Sequence, residues 1–261
     1  YLGSKIAIVN LTQISIVEEP EVAVSSGVVP TPKLVVENIV KETLASVFSG
    51  KSLKEIQLHK IADICCGSGT FAISIYDYLL EQITLAFIAE KIKDDELIYQ
   101  SFNGSYILTL KAKQLFLVGN IYGVDINPYA VEVTKFSLLL KLLENENAAS
   151  IENYLAKYKQ KVLPSLDDNI KTGNSLVDEK YFEFNPDAID DDILLYKVKP
   201  FNWKDEFPFL EKTNGFDAIV GNPPYIRIQN MVKYQAEEIK YYQSAISGFT
   251  VAETDTFDKY Y

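Results

Sequence analysis

Four short apolar runs, Lys60–Ile64, Ile121–Ile126, Ile170–Thr172 and Phe216–Val220, each break off into glycine, asparagine or proline. Helical sequence lies between them: apolar Phe71–Leu80 follows the first run, and Asn127 with Pro128 caps a long helix ending near Glu144 after the second. Strands alternating with helices specify an α/β fold with a doubly wound, mostly parallel sheet. In such a sheet ligands sit beyond the carboxyl ends of the strands, where strand order reverses. The four polar strand ends are therefore the candidate site.

The remaining sequence divides around these strands. Residues 1–30 form a strand-rich extension, with Lys5–Val9 and Thr12–Val17 as its short strands. Residues 31–261 form the main domain, which opens on an amphipathic helix of about five turns. Thr31 is its expected N-cap and Pro32 its first helical residue. Leu34, Val35, Ile39, Val40, Leu44, Val47 and Phe48 then recur near helical spacing, and Gly50 closes it. An insert at about 81–118 holds a helical, partly acidic segment, Glu81–Glu96, and an expected strand pair, Ser105–Lys111 with Gln114–Val118. A second insert at about 177–215 is acidic.

Composition excludes several classes. With 261 residues, 48% hydrophobic and 23% charged, the chain can bury a full core and is not disordered. Uninterrupted apolar stretches last only a few residues and no basic region precedes a long apolar run near the start, so a cytoplasmic location and no membrane partner are expected. Cys65 and Cys66 are adjacent and the only cysteines, which excludes a disulfide framework and a zinc site; no metal is expected. The formal net charge is −11, Arg227 is the sole arginine, and Val177–Asp217 holds eleven acids against five lysines. Such a chain is expected to bind nucleic acid weakly by itself, since gripping phosphates takes a basic surface.

The strand ends carry the chemistry. In Asp63-Ile64-Cys65-Cys66-Gly67-Ser68-Gly69, two glycines let the backbone pass close to a ligand and place the amides of the next helix beside it; a plain tight turn fits the same residues. Asp125 can accept from the vicinal hydroxyls of a ribose, or be simply an acid stabilised by a helix N-terminus. A dinucleotide fingerprint is excluded, because Asp125 lies 56 residues past Gly69 rather than about 20, and the third glycine is missing. At the fourth end, Asn222-Pro223-Pro224-Tyr225, the prolines stiffen the backbone, Asn222 offers an amide oxygen and Tyr225 a flat ring. That set suits a planar group bearing an NH2: two acceptors hold the amine with its lone pair aimed at an electrophile, and the ring stacks on the plane. A proline-stiffened turn with a packing tyrosine is the alternative.

Asn222-Pro223-Pro224-Tyr225, preceded by Phe216–Gly221, resembles motif IV of the N6-adenine DNA methyltransferases, in the large fused type II restriction-modification and phage-defence branch. Asp63–Phe71 resembles their motif I, Gly123–Pro128 motif II, Gly173-Asn174-Ser175-Leu176 motif III and Thr31-Pro32 motif X. The order X, I, II, III, IV over residues 27 to 229 is that of the gamma class. The resemblance implies a Rossmann-like, S-adenosylmethionine-dependent methyltransferase fold. It implies that Thr31 holds the cofactor's carboxylate, Asp63 and Cys65 with Gly67 and Gly69 its methionine part, Asp125 its ribose, and Asn174 with Ile126 its adenine. Catalysis would fall to Asn222, Pro223, Pro224 and Tyr225, with direct methyl transfer to the amine of a flipped adenine. Neither a nucleophilic cysteine nor a histidine base is needed, so Cys66 is expected to be packed and the lone His59 structural.

Ile64 and Cys65 replace the family's usual proline and alanine in motif I, and neither change removes a polar contact. Asp255–Tyr261 resembles the start of motif V, so the chain is expected to be an N-terminal fragment of the catalytic domain. Double-stranded DNA would then be bound through a recognition domain absent from it. Such a fragment is expected to hold the cofactor weakly, to lack activity and to self-associate through exposed apolar surface. Release-factor glutamine methyltransferases share Asn-Pro-Pro-Tyr, but Cys65-Cys66, Gly221 and the insert before Asp125 favour DNA. A non-catalytic cofactor-binding fragment is the remaining alternative.

Overall fold

The computed structural model of the chain describes residues 4–9 and 13–18 as strands, and residues 31–224 and 235–249 with their side chains. The readings placed on Tyr225, on residues 27–30 and on Asp255–Tyr261 lie outside the described residues. Strands β1 (Ser4–Val9) and β2 (Gln13–Glu18) pair antiparallel, with Ser4 opposite Glu18 and Val9 opposite Gln13. The chain forms two compact units. One comprises residues 31–172 and 206–221; the other is built from the segments 1–30, 173–205 and 222–261.

The first unit holds the sheet. Helix α1 (Lys33–Phe48) leads to strand β3 (Ile61–Asp63), helix α2 (Thr70–Ala89), the hairpin of β4 (Ile98–Gln100) and β5 (Tyr106–Leu108), and helix α3 (Leu110–Asn120). Strand β6 (Ile121–Asp125), helices α4 (Pro128–Leu142) and α5 (Ala148–Tyr158), and strand β7 (Ile170–Thr172) follow. Strand β8 (Ala218–Ile219) completes it. The order β7-β6-β3-β8 is parallel throughout: the chain steps outward from β3 through β6 to β7, then returns to β3's other side. Strand order therefore reverses between β3 and β8, as the alternation of strands and helices leads one to expect.

Its core gathers Val36, Val40 and Leu44 of α1, Ile75, Tyr76, Leu79 and Ile83 of α2, Phe116 and Leu117 of α3, and Leu138 and Leu142 of α4, around Ile61, Ile121 and Ile170 of the strands. Helix α2 is long and apolar enough to cross a membrane by length and composition alone. Eight of its residues, from Phe71 to Phe87, are buried in the protein. At roughly 1.5–3 kcal/mol for each large side chain, that burial accounts for its apolar character. Two buried asparagines fix the crossovers: Asn120 Nδ2 donates to the carbonyls of Ile56 and His59, and Asn169 Nδ2 to those of Val118 and Ile121.

Two local expectations are corrected. Gln114–Val118 is not a strand but the middle of α3. Thr109 accepts a hydrogen bond from Ala112 N–H as its N-cap, and Leu110, Ala112, Phe116 and Leu117 are buried at helical spacing. Only the first half of the expected pair is a strand, as β5. Thr31 does not cap α1. Pro32 is the N-cap, with an extended ψ of 137°, and its carbonyl accepts from Val35 and Val36, so the helix starts at Lys33. The buried face of α1 is also narrower than its apolar sequence: Val36, Val40, Leu44 and Phe48 are buried, while Leu34, Val35 and Ile39 are exposed.

The second unit has its own small core of Val177, Tyr181, Ala188, Val198, Ile239, Tyr241 and Tyr242. The acidic segment is mainly short helical turns. One is helix α6 (Asp192–Val198), whose N-cap Asp191 accepts from the amides of Ile193 and Leu194. Helix α7 (Ala236–Gln243) buries Glu238, Ile239, Tyr241 and Tyr242.

Candidate active site

The end of β3 is held by hydrogen bonds that run through the glycine turn to the end of β6. Asp63 is 1% exposed, and its Oδ1 accepts from Cys65 N–H at 3.1 Å and from the Cys65 thiol at 3.6 Å. Burial pushes its carboxyl up to about 7; the two Cys65 hydrogen bonds pull against that, and the negative charge of Asp125 adds to it. A Cβ on Gly221 would lie 2.4 Å from Asp63 Oδ1 and 3.2 Å from Cys65 Sγ, so position 221, two residues past β8, must be glycine for steric reasons.

Gly67 and Gly69 sit at φ +52° and +85°, where a side chain is strained. Gly67 N–H donates to Asp125 Oδ2 at 2.8 Å, and its carbonyl accepts from Thr134 Oγ1 at 2.9 Å. Cys66 N–H donates to the Val124 carbonyl at 3.0 Å. Asp125 Oδ1 accepts from Asn127 N–H at 2.9 Å, while the Asn127 side chain caps α4 through Tyr129 N–H and Pro128 takes the first helical position. Asp63 with Cys65, and Gly67 with Asp125, are thus hydrogen-bonded pairs joined through one turn, which Gly69 N–H closes by donating to the Cys66 carbonyl at 2.8 Å. Ile126, just past β6, and Thr31, just ahead of α1, are half-buried residues of the same unit.

Cys66 is packed, as expected: burial raises its thiol well above its ordinary range, and its Cβ lies against the Cα of Gly123, where a side chain would come within 3.3 Å of it. His59 packs edge-on to Phe48 and bonds through Nδ1 to the Glu55 carbonyl, a structural role. Thr134 was not singled out from sequence, because a threonine inside a helix gives no local sign that its hydroxyl ties a distant turn.

In the second unit, Asn174 is 1% exposed. Its amide N–H donates to the Lys199 carbonyl at 2.8 Å, its Oδ1 accepts from Leu176 N–H at 3.2 Å, and its Nδ2 donates to Glu238 Oε2 at 3.0 Å. Tyr242 O–H donates to that same oxygen at 3.0 Å. Beside it, a Cβ on Gly173 would fall 2.3 Å from the Phe201 ring, which makes that glycine a packing requirement. Glu238 carries no signal in sequence, since its partner Asn174 is 64 positions away, and Tyr242 meets it from the next turn of the same helix. Asn222, Pro223 and Pro224 are half-buried members of this unit.

Residues 119–261 match the family described as Eco57I restriction-modification methylase. Among curated proteins, the type II restriction enzyme and methyltransferase RM.Eco57I of Escherichia coli is 31% identical over all of this chain and 23% of its own length. The adenine-specific methyltransferase PglX of Streptomyces coelicolor is 25% identical over 77% of this chain and 14% of its own. The chain therefore spans less than a quarter of either relative. A nuclease-deletion mutant of the Type ISP restriction-modification enzyme LlaGI, solved with a DNA substrate mimic, aligns with 76% of this chain and 13% of its own at 21% identity and a TM-score of 0.43.

Proposed function

Because the chain belongs to the Eco57I restriction-modification methylase family, we propose that it is part of a DNA methyltransferase that moves a methyl group from S-adenosylmethionine to the N6 amine of a flipped adenine. The observation that carries the reading is the bonded turn at the ends of β3 and β6. It offers a buried carboxyl, a left-handed glycine turn and a second carboxylate, a donor set that fits an amino-acid nucleoside. A carboxyl whose burial favours neutrality near pH 7 is suited to a ligand that brings its own ammonium.

In this reading the sheet is a Rossmann-like methyltransferase sheet in a domain starting at residue 31, with residues 1–30 as an extension, and the protein works in the cytoplasm. Asp63 and Cys65 with the Gly67–Gly69 turn take the methionine part, Thr31 its carboxylate, Asp125 the ribose diol, and Asn174 with Ile126 the adenine. When bound, the cofactor supplies an electrophilic methyl group. Asn222 Oδ1 and a proline carbonyl at 223 or 224 accept from the target amine, keep its lone pair directed outward and stabilise the positive charge it develops. Tyr225 stacks on the extruded base, offsetting the few kcal/mol of unstacking. DNA is gripped by a recognition domain beyond this acidic chain. The relatives' names speak for DNA over a release-factor glutamine as acceptor.

Calorimetric titration of S-adenosylmethionine into the chain, with Asp125→Ala as control and a methyl-transfer assay on plasmid DNA, tests the reading. Binding abolished by the substitution is the expected result, with no transfer by the isolated chain. A folded chain that binds nothing, or an Asp125→Ala variant that binds as well, overturns it.

A further inference from the structure

The triad of Asn174, Glu238 and Tyr242 has chemistry that the roles above do not use. Glu238 is 3% exposed and Tyr242 2% exposed, and both Asn174 Nδ2 and Tyr242 O–H donate to the single oxygen Oε2. Burying a carboxylate is costly unless donors meet it, and these two do. A carboxylate only accepts, whereas a carboxamide has an accepting end and a donating end. Facing Glu238, the Asn174 amide can present only its nitrogen; turned over, it would set its oxygen against the carboxylate oxygen. The orientation is thereby fixed, with Oδ1 on the side of the Leu176 amide at 3.2 Å. A carbonyl oxygen has two lone pairs, so it can serve a ligand donor together with that amide.

We propose that Glu238, braced by Tyr242, is a positioning and specificity-determining residue: it locks the Asn174 carboxamide with its oxygen on the side of the Leu176 amide, so that Asn174 selects a purine bearing a 6-amino group over one bearing a 6-oxo group. This rests on the reading that Asn174 meets the cofactor's adenine. A 6-amino group donates to Asn174 Oδ1, whereas a 6-oxo group sets acceptor against acceptor, and loss of one buried hydrogen bond predicts discrimination of about tenfold or more. Glutamine at 238 keeps the shape but carries both a donor and an acceptor, so it can pair with either end of Asn174 and releases the amide to turn.

The experiment is calorimetric titration of S-adenosylhomocysteine and its deaminated analogue, S-inosylhomocysteine, into the full chain as wild type, Glu238→Gln, Glu238→Ala and Asn174→Ala, each verified as folded by circular dichroism. The expected result is a wild-type preference for the adenine compound of about tenfold or more, falling toward unity in Glu238→Gln because the inosine compound binds no worse. A merely structural role would lower both affinities together and leave their ratio alone. A folded Glu238→Gln with the wild-type ratio overturns the proposal; if that variant does not fold, an unchanged ratio in a folded Glu238→Ala does so. Adenine-compound affinity untouched by Asn174→Ala overturns instead the placing of Asn174 at the cofactor.

Discussion

At the residue scale, the raised carboxyl of Asp63 makes both stability and ligand affinity depend on pH. The unfolded chain releases this proton near pH 4, roughly the ordinary aspartate value, while the folded chain keeps it until about 7. The folded state then binds more protons through that window, so stability falls as pH rises through it: the contribution is complete below the unfolded value and gone above the folded one. Thermal melts across the window are expected to show that decline, and Asp63→Asn to remove this part of it. S-adenosylhomocysteine affinity is expected to move the other way, rising as Asp63 ionises to meet the ammonium, with the rise lost in Asp63→Asn. Gly221→Ala places a methyl 2.4 Å from Asp63 Oδ1 and is expected to cost roughly 1–3 kcal/mol in urea denaturation. The turn of Gly67 and Gly69 and the strand-end places of Asp63 and Asp125 were legible because glycine and acid recur together where the apolar runs break off. Glu238 was not, because its meaning depends on a partner that only folding supplies.

At the element scale, α4 carries more of the site than its capping sequence tells. Asn127-Pro128 was readable as a helix start because capping is local chemistry: one side chain, one amide two residues on. Thr134 on the buried side of α4 ties the helix to the Gly67 carbonyl. Thr134→Val preserves the shape and strands that carbonyl, with an expected loss of about 1–3 kcal/mol and weaker cofactor binding in the same titration. Where expectation failed, the cause was also local. Gln114–Val118 is a short apolar run, and over five residues burial at period two cannot be told from the face of a helix. The capping hydroxyl of Thr109 and the buried Leu110 and Ala112 upstream decide it. At α1, a Thr-Pro pair fits either of two adjacent start positions, and the extended backbone of Pro32 selects the later one.

At the scale of the whole molecule, order and charge matter more than any contact. The parallel order β7-β6-β3-β8 was legible in outline from alternating strands and helices; the division of the described residues into two units was not, because residues 173–205 and 235–249 join through side chains far apart in sequence. The formal net charge of −11 predicts weak grip on DNA. Fluorescence anisotropy with a labelled duplex is expected to give a Kd at or beyond the weak end of non-specific binding, about 10⁻⁴ M. Tight, salt-sensitive binding would show that this chain carries the phosphate-gripping surface itself.

The returning strand also sets a timetable. A ribosome delivers β3, β6 and β7 in the order in which they lie side by side, so each can dock on its predecessor as it emerges. β8 pairs with β3, and Ile61 must wait for Ala218, made 157 residues later. Asn222 follows three residues behind that strand. The nascent protein thus acquires the ends of β3 and β6 well before the residues proposed to carry the chemistry.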